Sequence, residues 1–338
     1  MVGINEVARA AGVSISTVSY ALSGKRPVAV PTRQRIEDAV ERLGYTPNAR
    51  ARALARKRSG IIALTEPLHP KTHAPTHMAF VLAASIAARR REYDILLLTD
   101  EEASKGMARV ASSGLADGIL VLDVAPNDER ADLARRLEVP TVFVGLPDQA
   151  EGLVCVDLDF EAAGSMAVDA FCGLGHLKIG LLGHPLAAYT DSNFPPRLRS
   201  GFMVRAAERG LEAYFEPLDG EGSLEGQVGR GLDRLAAAGV TALALHNGED
   251  VHELVLGMLD RRGVRVPDDL SLISLGAPFD TSRLSVPVSA VPLVAQRSCD
   301  LAVELATQLR PSAGVHLIAP EFIDLGSTVP PKKGPSVD

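Results

Sequence analysis

Apolar residues recur at helical spacing near the N-terminus and in short strand-like runs over the rest of the chain. In Ile4–Ala11 the apolar Ile4, Val7, Ala8 and Ala11 fall at i, i+3, i+4 and i+7, the pattern of one buried helix face. Gly12-Val13-Ser14 makes a tight turn, and Ser14 suits the N-cap of a second helix. That helix, over residues 15–22, should turn Val18, Ala21 and Leu22 inward and leave Ile15, Ser16, Ser19 and Tyr20 on the other face. Gly24 and Pro27 should end it. A third helix starts near Pro31, carries Ile36, Ala39, Val40 and Leu43 on one stripe, and stops at Gly44.

From Ile61 onward apolar runs and helical spacers alternate. Runs beginning at Ile61, Ile95, Gly118, Thr141 and Leu153, and again at Lys178, Thr241 and Leu270, read as strands. The segments 79–91, 104–113, 129–137, 160–172, 195–209, 224–237, 250–262 and 293–309 read as helices. Such alternation predicts parallel, doubly wound sheets, so the fold class is a helix-turn-helix headpiece on an α/β body of two subdomains. Ligands of such sheets sit at the carboxyl ends of the strands.

Charge sharpens this division. Residues 1–58 hold eleven Lys/Arg against four acids, a net +7, whereas the remainder is −14. A basic three-helix unit with a small, polar outer face on its second helix fits a reader of the DNA major groove. The three cysteines, Cys155, Cys172 and Cys299, form no metal or disulfide spacing, which fits a reducing cytoplasm. No secretory signal and no apolar run of about 20 residues is present, so a membrane partner is not expected.

The order Ile4-Asn5-Glu6-Val7-Ala8-Arg9-Ala10-Ala11-Gly12-Val13-Ser14, then Thr17-Val18-Ser19, Thr32-Arg33 and Leu43-Gly44-Tyr45-Thr46-Pro47-Asn48, resembles the headpiece of the LacI/GalR transcriptional repressors. The resemblance implies DNA contacts from Ser14, Ile15, Ser16, Thr17, Ser19, Tyr20, Asn48 and Arg50. It also implies a hinge over 46–58 whose Leu54 wedges a base step from the minor groove, a known way to kink DNA. A helix that short is marginal alone and would need DNA and a partner hinge to form. A homodimer on a palindromic double-stranded operator follows from the same resemblance.

The resemblance extends more loosely through Leu174-Gly175-His176, Gly201-Phe202, the segment 261–271 and Gly326-Ser327-Thr328. It implies a headpiece over 1–45, a hinge over 46–58 and an effector-binding, dimerising body over 60–338. The body would resemble periplasmic binding proteins: one lobe about 60–159 with 290–319, the other about 160–289 with 320–330. Candidate effector ligands are His73, His77, Asp159, Arg197, Asn247 and Glu249. The usual arginine slot holds Leu198, so its role passes to the neighbouring Arg197, and Phe160 stands where the family often has asparagine. His69, His73 and His77 have the spacing of one helical face, but Pro70 and Pro75 interrupt it, and no metal is expected there.

Phosphate-loop, GxSxG and HExxH motifs are absent, so neither an enzyme nor a cofactor is expected. A small carbohydrate that releases a repressor is the favoured effector. A co-repressor of non-sugar chemistry, or a solute-binding module without a regulatory role, stays open.

Overall fold

The computed structural model describes residues 2–23, 26–45, 58–66, 74–98, 103–219 and 222–332. It divides into two units, 1–59 and 60–338. The first holds three helices, α1 (Ile4–Ala11), α2 (Ile15–Ser23) and α3 (Val30–Leu43). Glu6 accepts the Gly3 N–H at 2.6 Å to open α1. Gly12, at φ 66°, closes it in the left-handed conformation that glycine adopts without strain. Val7, Ala8, Ala11, Val18, Ile36 and Ala39 form the buried core, flanked by Ile4, Val13, Ala21, Val40, Leu43 and Tyr45. The expectation for Leu22 fails: it is 38% exposed. It lies in the last turn of α2, beyond a core that on this helix centres on Val18.

The second unit has two parallel sheets. The first contains β1 (Ile61–Thr65), β2 (Asp94–Leu98), β3 (Gly118–Val121), β4 (Thr141–Val144), β5 (Val154–Leu158) and β11 (Gly314–Ile318), in the order β11-β5-β4-β3-β1-β2. The second contains β6 (Lys178–Pro185), β7 (Glu212–Leu218), β8 (Ala242–Leu245), β9 (Ser271–Ala277) and β10 (Ser289–Pro292), in the order β10-β9-β8-β6-β7. Helices α4 (Ala74–Arg90) and α12 (Ala295–Ala306) cover one face of the first sheet through an alanine-rich core. Helices α5 (Ala103–Ser113) and α6 (Arg130–Ala134) cover the other. On the second sheet α7 (Phe160–Gly173) and α9 (Phe194–Glu208), separated in the chain by the short α8 (Ala188–Asp191), share one core, and α10 (Leu224–Ala237) and α11 (Glu249–Arg261) share the other. After β11 the chain returns to the second sheet, where Ile323 pairs with Ala290 and Ser327 Oγ donates to the Leu272 carbonyl at 2.6 Å.

Helix α4 begins at Ala74, five residues before the predicted start, because Pro75 is tolerated in a first turn. Strands β7, β10 and β11 were not foreseen. Each is an edge strand, and β7 and β10 contain Pro217 and Pro292, residues that a ladder admits only at its margin.

Helices α7 and α9 cross where Gly164 and Gly201 let two backbones touch. A Cβ on Gly201 would lie 2.1 Å from the Glu161 carbonyl oxygen, and one on Gly164 would lie 2.4 Å from that of Leu198. Leu198 is fully buried in this crossing, which accounts for the apolar residue at the family's arginine slot.

Candidate functional site

In the first unit the start of α2 is a cluster of small hydroxyls. Ser14 Oγ accepts the Thr17 N–H at 3.2 Å and lies 2.8 Å from both Ser16 Oγ and Thr17 Oγ1. Ser14 thus caps the helix, and the group surrounds a helix N-terminus, which favours an anion such as phosphate. Ile15, half exposed, and exposed Ser16 and Ser19 lie along the same helix. Tyr20 is half-buried, and the Arg26 guanidinium sits 5.2 Å from its ring centroid. The tyrosine therefore carries a cation on its face, a pairing that the amino-acid order did not disclose. Asn48, Arg50 and Leu54, together with the rest of the expected hinge through residue 57, lie outside the described residues.

In the second unit each sheet reverses its strand order one strand in from an edge: β1 lies between β2 and β3, and β6 between β7 and β8. In such sheets the crevice outside the carboxyl ends of the two strands at the reversal is the usual ligand position. On the first sheet these ends carry Glu66, after β1, and Asp123, two residues beyond β3. Glu66 is 1% exposed and contacts His77 Nδ1 from the first turn of α4. Burial raises the Glu66 pKa, and its bond to His77 opposes that rise. Burial also works to lower that of His77, but the bond and charge of Glu66 and the charge of Asp123 raise it overall. Arg130, 4% exposed, ties this end together. It holds Asp128 through Nε at 2.8 Å and Nη2 at 2.6 Å, donates to Thr65 Oγ1 at 2.9 Å and reaches the Asp123 carbonyl at 2.7 Å.

On the second sheet the corresponding ends carry His184, the penultimate residue of β6, and His246, after β8. Their rings meet edge to face at 4.5 Å, with Phe194 5.5 Å from His184 and 5.6 Å from His246, and Phe160 5.3 Å from Phe194. Burial, with the neighbouring His184 and His252, holds His246 well below the ordinary histidine range, so its ring is neutral. Its Nδ1 is buried with no hydrogen-bond partner. The two lobes touch where buried Asn193 Nδ2 donates to the Val124 carbonyl at 2.7 Å.

The effector candidates read from the chain occupy varied places. Asp159 caps α7 by accepting the Ala162 N–H at 2.9 Å. Arg197 donates to Asp157 at 2.6 Å and to Glu161 at 3.1 Å, and lies over the Phe160 ring at 5.6 Å. Asn247 is buried and donates to the Leu182 carbonyl at 2.9 Å. Glu249 is exposed at the start of α11. His77 reaches the first-sheet cluster, and His73 lies outside the described residues.

Comparison with known proteins gives these units a lineage. Residues 3–48 match the family model "Bacterial regulatory proteins, lacI family", and residues 168–328 match a periplasmic binding protein-like domain. The catabolite control protein A of Streptococcus mutans is 30% identical over 278 residues, covering 80% of each chain. The transcriptional repressor PurR of Mannheimia succiniciproducens is 28% identical over 301 residues, covering 86% of each. The chain belongs to the LacI family of bacterial regulatory proteins. Among solved structures, the lac repressor dimer bound to operator and the anti-inducer ONPF superposes with a TM-score of 0.75 at 22% identity, over 97% of this chain and 99% of that one. A complex of the transcriptional regulator CelR with cellobiose gives 0.61 at 20% identity, over 97% of this chain and all of that one.

As a LacI-family protein the chain is a DNA-binding transcriptional regulator, and its relatives are regulators rather than enzymes. No helix among the described residues is long and apolar enough to cross a membrane. Cys155 and Cys299 form no disulfide, and burial pushes both thiols up to about 12, so they are inert core residues. What sequence reading missed in this LacI-family body is the set Glu66, Asp123, Arg130, His184 and Phe194. The usable signal was position, just beyond a central strand, but which strands are central depends on sheet order.

Proposed function

We propose that this regulator is a homodimeric, cytoplasmic repressor of a near-palindromic operator, released when a small carbohydrate binds between the lobes of its body. The observation that carries the effector half is the pairing of two switch-point crevices: an acid–histidine group on one lobe and a ring cluster on the other. Carboxylates and imidazoles suit hydroxyl groups, and aromatic faces suit the apolar face of a pyranose. The second sheet's Phe160, Phe194 and His184 supply such faces, and Asn193 links the lobes beside them. Two neighbours of this fold are described with such ligands, CelR with cellobiose and the lac repressor with ONPG.

Dimerisation is supported by Met78 and Leu82, 52% and 60% exposed one turn apart on α4, with Leu97 of β2 38% exposed nearby in the sheet. Two headpieces would read half-sites about 10 base pairs apart. A ligand that prefers one lobe arrangement shifts the population toward it, and the hinge transmits the change. The coupling is reciprocal, so operator weakens sugar binding by the factor with which sugar weakens operator binding, about 5- to 150-fold.

The test begins with DNA selected by the full-length protein, followed by titration of the complex with a panel of mono- and disaccharides in fluorescence anisotropy. Release by at least one sugar is expected, with sizing of free protein at twice the chain mass. Tightening by a purine or other non-sugar metabolite, with every sugar silent, replaces induction by co-repression.

A further inference from the structure

We infer that the carboxyl ends of β1 and β3 form a binding site for a divalent transition-metal ion, with Glu66, His77 and Asp123 as its protein ligands. One donor atom from each of these residues lies within 4.8 Å of the other two, and this is the one such group of three among the described residues. They come from three separate segments: the residue after β1, the first turn of α4 and the loop after β3. The convergence is built into the sheet. Strands β1 and β3 pair in parallel, and the Leu122 N–H continues the ladder to the Thr65 carbonyl at 3.0 Å, so residues 66 and 123 emerge side by side.

Independent features point to a ligand here. The site occupies the strand-order reversal, where parallel sheets bind ligands. Glu66 is a carboxylate with 1% exposure whose one close side-chain partner is His77, itself a metal-ligating type, and buried carboxylates are found paired or coordinating metal. Arg130 adds only the weakest of the charge effects on Glu66, because its guanidinium is engaged by both oxygens of Asp128. It instead clamps the Thr65 hydroxyl and the Asp123 carbonyl, which pins the two strand ends that carry the ligands.

Two carboxylates and one neutral imidazole bring a charge of about −2, matched by a divalent cation, and an O,O,N set suits Zn²⁺, Mn²⁺ or Fe²⁺. Ligands about 2.1 Å from such an ion lie roughly 3.0–3.5 Å apart in cis positions, so rotation of the exposed Asp123 side chain closes the present spread. The ion replaces the direct His77–Glu66 hydrogen bond and releases its proton to solvent. Three protein ligands leave positions open for water. On the reading of this crevice as the effector site, an effector oxygen can take one of them, making the ion a co-ligand of the effector.

The site needs neither DNA nor sugar for its test. Full-length protein without added histidines, stripped with chelator and dialysed, is titrated calorimetrically with Zn²⁺ and separately with Mn²⁺. One ion per chain is expected for at least one metal, weakened at least about tenfold by Glu66→Gln and by Asp123→Asn. Asp169→Asn, which alters a half-buried acid paired with Arg205 and Arg209 elsewhere on the body, leaves it unchanged. Absence of saturable binding up to about 1 mM metal, or undiminished binding in the variants, overturns the proposal. If circular dichroism shows that Glu66→Gln does not fold, Asp123→Asn alone decides. Asp123 is exposed with φ at 48°, a conformation that asparagine adopts as readily as aspartate. Metal binding is read on sugar-free protein and sugar-dependent release on protein stripped with chelator, so the two readings fail separately.

Discussion

Replacing Arg197 with methionine tests how the buried Asp157 keeps its charge. Arg197 Nη1 donates to Asp157 Oδ2 at 2.6 Å, and Asp157 is 8% exposed. Burial pushes the Asp157 pKa up to about 6 from 3.8, even against the attraction of the guanidinium. Because the folded pKa lies above the unfolded one, this group favours folding most below about pH 4 and loses that contribution as pH rises toward 6. Without Arg197 the cheapest escape for the orphaned carboxylate is to take up a proton. At pH 7.5, about 1.5 units above the wild-type pKa, that escape costs about 2 kcal/mol relative to wild type. At about pH 5.5 or below the wild-type carboxyl already holds its proton for most of the time, and the cost largely disappears. The contacts of Arg197 with Glu161 and the Phe160 ring are lost at either pH and shift both measurements alike. Urea unfolding of the two proteins at pH 7.5 and pH 5.5 should therefore show a destabilisation larger by about 2 kcal/mol at the higher pH, or roughly 4–8 °C in melting temperature. Adding Asp157→Asn removes the titrating group, and the pH dependence of the difference should go with it. Equal destabilisation at both pH values, or a pH effect that survives Asp157→Asn, refutes the reasoning.

Gly201→Ala should destabilise the body by about 1–3 kcal/mol in the same urea assay, because its Cβ meets the α7 backbone rather than a side chain that can move. An unchanged midpoint would mean that α7 and α9 separate freely. Tyr20→Ala should relax base preference at one position per half-site by about 1–3 kcal/mol and release Arg26 from its ring, read out by sequencing of selected DNA. Unchanged selection would remove Tyr20 from the reading surface. Arg50→Ala should instead weaken all sequences alike and reduce the salt slope by about 1. Leu54→Ala should reduce operator bending in a gel phasing assay with the fold intact, and equal bending by both proteins would contradict the wedge.

Much of the fold was legible because it rests on local rules. The i, i+3, i+4 recurrence in Ile4–Ala11, the Ser14 cap and the apolar runs of the central strands each need only a few consecutive residues to express their preference. Strands β7 and β11 escaped because edge strands bury little and tolerate polar residues and proline. Tyr20 and Arg26 were both visible as residues, but their stacking depends on how the chain returns after α2.

The amino-acid order by itself determined the headpiece, the division into a basic and an acidic part, and membership of a two-lobed α/β class. Each follows from periodicity, charge and motif order, which are properties of neighbours in the chain. Only the tertiary structure decided the chemistry of the crevice. Asp159 and Arg197 were visible as residues, but that one caps α7 and the other bridges Asp157 and Glu161 depends on how β5, α7 and α9 pack together. Glu66 and Asp123 lie 57 positions apart and carry no shared motif, but parallel pairing of β1 with β3 brings them together. His184 and His246 meet for the same reason, through the pairing of β6 with β8. Strand order is set by the burial of whole sheet faces against helices from distant parts of the chain, a global balance that no local run of residues encodes.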